Sequence, residues 1–160
     1  MSLQIRPAQP GEGPIVLGLI RDLAVYERLD HLVEATEADI EHALFRPAAN
    51  VFADIAEWDG EPVGFALWFL NFSSFRGRNG LYLEDIFVRP AHRGRGIGTA
   101  FLEHLARKCA ENGYARFEWS VLDWNTPSIR FYEQRGAAVL PDWRICRVEG
   151  DALGRLASGA

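Results

Sequence analysis

The chain has 160 residues, 48% of them hydrophobic and 24% charged, with a formal net charge of −5. That length and mix fit one globular domain over residues 1–160, long enough to bury its own core, and exclude a disordered chain. The acidic balance argues against a nucleic-acid or membrane-surface partner. Two cysteines are too few for a disulfide framework, and MSLQIRPAQPGEGP lacks the apolar core of a secretory signal, so a reducing, cytoplasmic setting is expected.

Gln4–Pro7 reads as a short first strand. Pro14 then opens a helical pattern, with Ile15, Leu19 and Leu23 four apart on one face and Val16, Ile20 and Ala24 beside them. Thr36 followed by Asp39 is a capping signal for a second helix, carrying Ile40 and Leu44 and stopping before Pro47. Val51–Glu57 and Pro62–Leu70 form a predicted hairpin about the Asp59-Gly60 turn. Asn71–Gly80 reads as a polar loop, and Leu81–Val88 as a third strong strand.

Ile97, Phe101 or Leu102, Leu105 and Cys109 stand at helical spacing, and Gly113 supplies a left-handed cap after Asn112. Phe117, Trp119 and Val121 alternate as a strand. Thr126 is the expected N-cap of a short helix with Pro127 as its first residue and Gly136 at its end. Trp143–Val148 reads as a last strand, and both Cys109 and Cys146 as buried or half-buried thiols. The order predicts a mixed α/β fold, a largely antiparallel sheet flanked by helices.

The chemistry concentrates after the third strong strand. Arg93–Gly98 reads RGRGIG and runs directly into a helix. Gly94, Gly96 and Gly98 let backbone N–H groups approach a ligand, and the first N–H groups of the helix are unpaired at its positive dipole end. A pyrophosphate suits such a turn. A P-loop is excluded because Thr99, not lysine, follows Gly98, and G-x-G-x-G lacks the dinucleotide spacing. The four histidines show no metal-ligand spacing, so no metal is expected.

The stretch LYLEDIFV, RPAHRGRGIG and helix resembles the GNAT superfamily of N-acetyltransferases, whose R/Q-x-x-G-x-G/A turn holds the coenzyme A pyrophosphate. WNTPSIRFYEQRGA resembles that superfamily's second signature. YLED, the second signature and Tyr26-Glu27 are together similar to the diamine (spermidine/spermine) N-acetyltransferase family, including its thialysine-acetylating members. The resemblance implies acetyl-CoA as cosubstrate, a small-molecule amine as acceptor, and a homodimer.

It also assigns roles. Tyr132 protonates the leaving coenzyme A sulfur, and its hydroxyl can donate at neutral pH. Glu84 relays the amine proton, while Asp85, Tyr26 and Glu27 lie toward the acceptor. Backbone amides of Ile86, Phe87 and Val88 face the thioester, and Arg93, Gly94, Arg95, Gly96, Ile97 and Gly98 hold the pyrophosphate. Asn125 and Ser128 match residues that bond the pantetheine arm or order the second motif; as a turn residue Asn125 has an equal claim. By residue chemistry alone, Glu84 and Asp85 stand out because a carboxylate in an apolar strand is costly to bury unpaired, and strict alternation sends them to opposite faces. The loop NFSSFRGRNG carries Arg76 and Arg78 and no carboxylate, which favours a lysine-like amino acid over a polyamine, the acceptor's carboxylate pairing with one of those arginines. A non-catalytic acyl-CoA sensor and a peptide or protein N-acetyltransferase are the competing expectations.

Overall fold

The structure, a computed structural model, describes residues 1–159, which fall into two compact units, residues 1–120 and 121–159. The first unit holds β1 (Leu3–Pro7), α1 (Gly13–Glu27), α2 (Glu37–Phe45), β2 (Val51–Trp58), β3 (Glu61–Ser73), β4 (Arg78–Val88), α3 (Ile97–Asn112) and β5 (Phe117–Trp119). The sheet order is β1-β2-β3-β4-β5, antiparallel except for the parallel β4–β5 pair.

Local chemistry explains most boundaries. Proline stands in the first turn of α1, where its missing N–H costs nothing. Thr36 and Asp39 form the expected capping box: Thr36 Oγ1 accepts from the Asp39 N–H at 3.2 Å, and Asp39 Oδ2 accepts from the Thr36 N–H at 2.8 Å. The hairpin turns at Asp59 (φ 52) and Gly60 (φ 84), two left-handed residues whose twist matches the flanking strands. Gly113 takes φ 65 behind α3, as its position required.

One face of the sheet packs on α1 and α2. Val16, Leu19, Leu23, Leu44, Ala53, Ile55, Phe65 and Phe87 form that core, and Leu67 packs against it. On the other face α3 buries Ile97, Phe101, Leu102, Leu105 and Cys109. Full burial of side chains such as Phe65 and Phe101 stabilises the fold by about 1.5–3 kcal/mol each. Ile15, expected on the buried face of α1, is exposed, and Val16 takes that place.

The predicted loop Asn71–Gly80 shrinks to residues 74–77, because the strands extend to Ser73 and resume at Arg78. Ladder hydrogen bonds continue wherever a partner strand runs alongside, whatever the polarity of the side chains.

The second unit holds α4 (Thr126–Glu133) and α5 (Gly150–Ala157). Asn125, not Thr126, is the N-cap of α4; its Oδ1 accepts from the Ser128 N–H at 3.4 Å. Trp143–Val148 forms no strand, since no partner strand pairs with it among the described residues, and Cys146 is exposed rather than buried. Val121 lies outside β5, which ends at Trp119. The sequence pattern did not show α5. Among the described residues, no helix is long and apolar enough to cross a membrane.

Candidate active site

The site begins with an irregularity in β4. Leu67 pairs with Asp85 but Trp68 pairs with Leu83, so Glu84 is an extra residue, a β-bulge. The bulge breaks the simple alternation expected of Glu84 and Asp85. Glu84 is exposed, whereas Asp85 is half-buried, on the face its partner Leu67 shares with α1 and α2. Nothing in the sequence marks the bulge, since LYLEDIFV reads as an unbroken strand.

Burial pushes the Asp85 carboxyl up to about 7 from its ordinary 3.8, and the negative charges of Glu84 and then Glu27 push in the same direction. Glu27, at the last position of α1, is itself raised by burial. Three predicted residues are thus brought into one electrostatic group. A fourth, Tyr26, packs its ring against Phe87, centroids 6.4 Å apart. A carboxyl that titrates near neutrality can take a proton from an ammonium, and the carboxylates beside it can attract that ammonium beforehand.

β4 pairs with β5 only over Leu81–Leu83. From Glu84 to Val88 its β5-facing edge carries no strand partner among the described residues, leaving backbone groups of the Ile86–Val88 stretch open to a ligand. The turn follows at once. Gly94 (φ 75) and Gly96 (φ 78) hold left-handed conformations that other residues adopt only under strain, and a Cβ at either position would meet open space. Gly96 is the N-cap of α3 and supplies no side-chain cap, so the first N–H groups of the helix stay available. Donor set and open cradle fit a pyrophosphate.

The two arginines of the turn are occupied within the chain. Arg93 Nε donates to the Val88 carbonyl at 2.9 Å, and its guanidinium lies 4.6 Å from the Tyr26 ring centroid and 5.4 Å from that of Phe87. Arg95 lies over Trp58 at 5.0 Å. Their stacking was not legible, because the aromatic partners come from distant segments. Arg76 and Arg78 stand at the opposite end of the sheet. Arg78 opens β4, seven residues from Asp85, or about 23 Å at strand rise. Within one chain they are too far for a lysine-sized acceptor to bridge, which corrects the expectation that its carboxylate pairs there.

In the second unit, Tyr132 lies on α4 with its ring edge-on to Phe131, centroids 5.4 Å apart. Asn125 is buried, and its link to the Ser128 N–H makes it the organiser of the α4 start. No group of three or more potential metal ligands occurs among the described residues.

Comparison with known proteins agrees with this geometry. Residues 17–137 match the model of the acetyltransferase (GNAT) family. The chain is 36% identical to an L-ornithine N5-acetyltransferase of Arabidopsis thaliana, over 96% of this chain and 87% of that protein. It is also 36% identical to the thialysine N-epsilon-acetyltransferase of Sus scrofa, over 98% of both. Among solved structures, an integron cassette protein from the mobile metagenome of V. cholerae superposes with a TM-score of 0.83 at 27% identity, over 98% of both chains. With a bulged, half-open strand leading into a glycine turn and a helix, and a family match spanning most of its length, this chain belongs to the acetyltransferase (GNAT) family as an amine N-acetyltransferase.

Proposed function

We propose that the protein transfers an acetyl group from acetyl-CoA to a primary amine of a small molecule by direct attack, the acceptor being a thialysine- or lysine-like amino acid or a diamine. The observation that carries the reading is the run of functions along one strand and turn: a raised carboxyl at Asp85, an unpaired edge over Glu84–Val88, and an open anion cradle at Gly94–Gly96. The names of the relatives, ornithine and thialysine acetyltransferases, support the amino-acid acceptor.

Acetyl-CoA supplies the activated thioester. Tyr26, Glu27 and Asp85 attract and hold the acceptor's ammonium, and Glu84 takes the proton that makes its nitrogen nucleophilic. As that nitrogen bonds to the acetyl carbonyl carbon and the C–S bond breaks, backbone N–H groups among Ile86, Phe87 and Val88 stabilise the charge on oxygen. Tyr132 gives its proton to the departing sulfur and regains one from the nitrogen as the amide forms. Arg93 to Gly98 fix the pyrophosphate, with Asn125 and Ser128 on the pantetheine side. The raised carboxyl of Asp85 favours a second assignment in which Asp85, not Glu84, is the base. A homodimer is part of the proposal, supported by the exposure of Trp143 and Ile145 at 80% and 72%. So is a cytoplasmic setting, supported by two free thiols.

The test is acetyl-CoA-dependent release of free thiol with ornithine, lysine, thialysine, putrescine, spermidine, an aminoglycoside and an acidic peptide. Turnover with the amino acids or diamines is expected. Turnover with the peptide alone would move the protein to the peptide-acetylating class. Binding of acetyl-CoA without turnover of any amine would make it a sensor. Glu84→Gln against Asp85→Asn separates the two bases: the variant that abolishes the rise of kcat/KM with pH names the base. Light scattering should give twice the 18.0 kDa chain mass.

A further inference from the structure

A cleft opens far from the glycine turn. It has a volume of about 390 Å3 and is lined by Leu44 and Phe45 at the end of α2, Phe52 and Asp54 of β2, Trp68 of β3 and Lys108 of α3. The turn sits at the start of α3, whereas Lys108 stands eleven residues along it, about 16 Å away at helical rise.

Its polar groups are unusual. The Asp54 side chain is only 4% exposed. Its Oδ2 accepts from Trp68 Nε1 at 2.8 Å. Its Oδ1 accepts no hydrogen bond; His104 Nε2 stands 3.5 Å away, close enough for an ion pair when the imidazole is protonated. A buried carboxylate with one donor on roughly four acceptor sites is poorly satisfied. Lys108, the sole lysine of the chain, holds its Nζ 5.3 Å from the Trp68 ring centroid and forms no ion pair with Asp54. Phe52 stacks on Trp68, centroids 4.6 Å apart, as an aromatic wall.

We propose that this cleft binds a free α-amino acid with an apolar side chain, at a site separate from the acceptor site. The α-ammonium donates to Asp54 Oδ1, the α-carboxylate pairs with Lys108, and the side chain lies on Phe52, Leu44 and Phe45. Each simpler ligand fails on charge. A bare cation meets Lys108, a bare anion meets Asp54, and an uncharged apolar molecule leaves Asp54 Oδ1 unsatisfied. The volume lies in the range of small-molecule sites.

The experiment is calorimetric titration of the full chain with leucine and phenylalanine, and with leucinamide and N-acetyl-leucine, which each lack one charge. Saturable binding of the free amino acids is expected, weakened by about tenfold or more in either blocked form and in Lys108→Met and Asp54→Asn. Acetyl-CoA affinity should stay unchanged in both variants. Asp54 also holds the Trp68 indole, so circular dichroism accompanies that variant, and Lys108→Met, on the half-buried face of α3, decides the question should Asp54→Asn unfold. Three results would overturn the proposal: no saturation by either amino acid up to about 10 mM, equal binding of the blocked forms, or binding that survives Lys108→Met but disappears in Asp85→Asn, which would place it in the acceptor site.

Discussion

Asp85 concentrates the consequences of the site in a single carboxyl. Its folded value near 7 exceeds its ordinary 3.8, so the folded protein holds that proton more tightly than the unfolded chain does. Below about pH 4 both states are protonated and no penalty arises. Between about 4 and 7 stability falls as pH rises, and above 7 the full penalty persists, on the order of 4 kcal/mol for a shift of this size. Asp85→Asn removes the penalty. Calorimetric melting should show this variant at least as stable as the parent at pH 8, with little difference at pH 4, while amine turnover drops at every pH. A variant less stable than the parent at pH 8 would mean that the burial of Asp85 is compensated by contacts outside this account. Tyr132 makes the opposite kind of prediction, because in the proposed mechanism its hydroxyl acts on the leaving group alone. Tyr132→Phe should lower kcat by about 10²-fold or more with acetyl-CoA affinity retained; unchanged turnover in the thiol-release assay would remove it as the acid.

At the level of elements, two glycines at the ends of α3 offer a matched pair. Gly96 (φ 78) and Gly113 (φ 65) are both left-handed, and a Cβ on either meets open space. Substitution by alanine therefore brings the same backbone strain, about 1–2 kcal/mol, at both ends. Only Gly96→Ala also places a methyl group at the mouth of the anion cradle. Equal loss of melting temperature is expected for the two variants, with weaker acetyl-CoA binding in Gly96→Ala alone. Parallel loss of binding in Gly113→Ala would show that α3 stability, not the cradle, controls affinity. Elements of this kind were legible in the sequence because their signals are local: Thr36 and Asp39 three apart, Asp59-Gly60, Gly113 behind an amphipathic run. The misreadings have a common physical cause. The strands about residues 74–77 grew longer, Trp143–Val148 stayed unpaired and Glu84 was bulged, because ladder formation depends on a partner strand distant in sequence. Asn125 displaced Thr126 as cap because adjacent Asn and Thr are both competent, and only the approach of Asn125 Oδ1 to the Ser128 N–H decides between them.

Across the first unit, the acidic group and the loop arginines stand toward opposite ends of β4, and that separation bears on which amine the enzyme prefers. The carboxylates Glu84, Asp85 and Glu27 act on one another near one end of β4, while Arg76 and Arg78 lie at the other, about 23 Å away. On the acidic side, Arg93 is stacked on Tyr26 and on Phe87, two residues beyond Asp85. A diamine uses only the carboxylates, whereas a lysine-like acceptor also brings a carboxylate of its own, which a guanidinium binds well. Arg76→Ala and Arg78→Ala should therefore leave KM for thialysine unchanged, and Arg93→Gln should raise it. Arg93 also borders the cofactor turn, so the informative quantity is a ratio. Any loss of acetyl-CoA binding affects both acceptors alike, but loss of carboxylate recognition raises KM for thialysine relative to putrescine, by about tenfold for a charged hydrogen bond. An unchanged ratio, measured at saturating acetyl-CoA, would confine Arg93 to the turn and leave the acidic group as the sole determinant of acceptor choice in this unit.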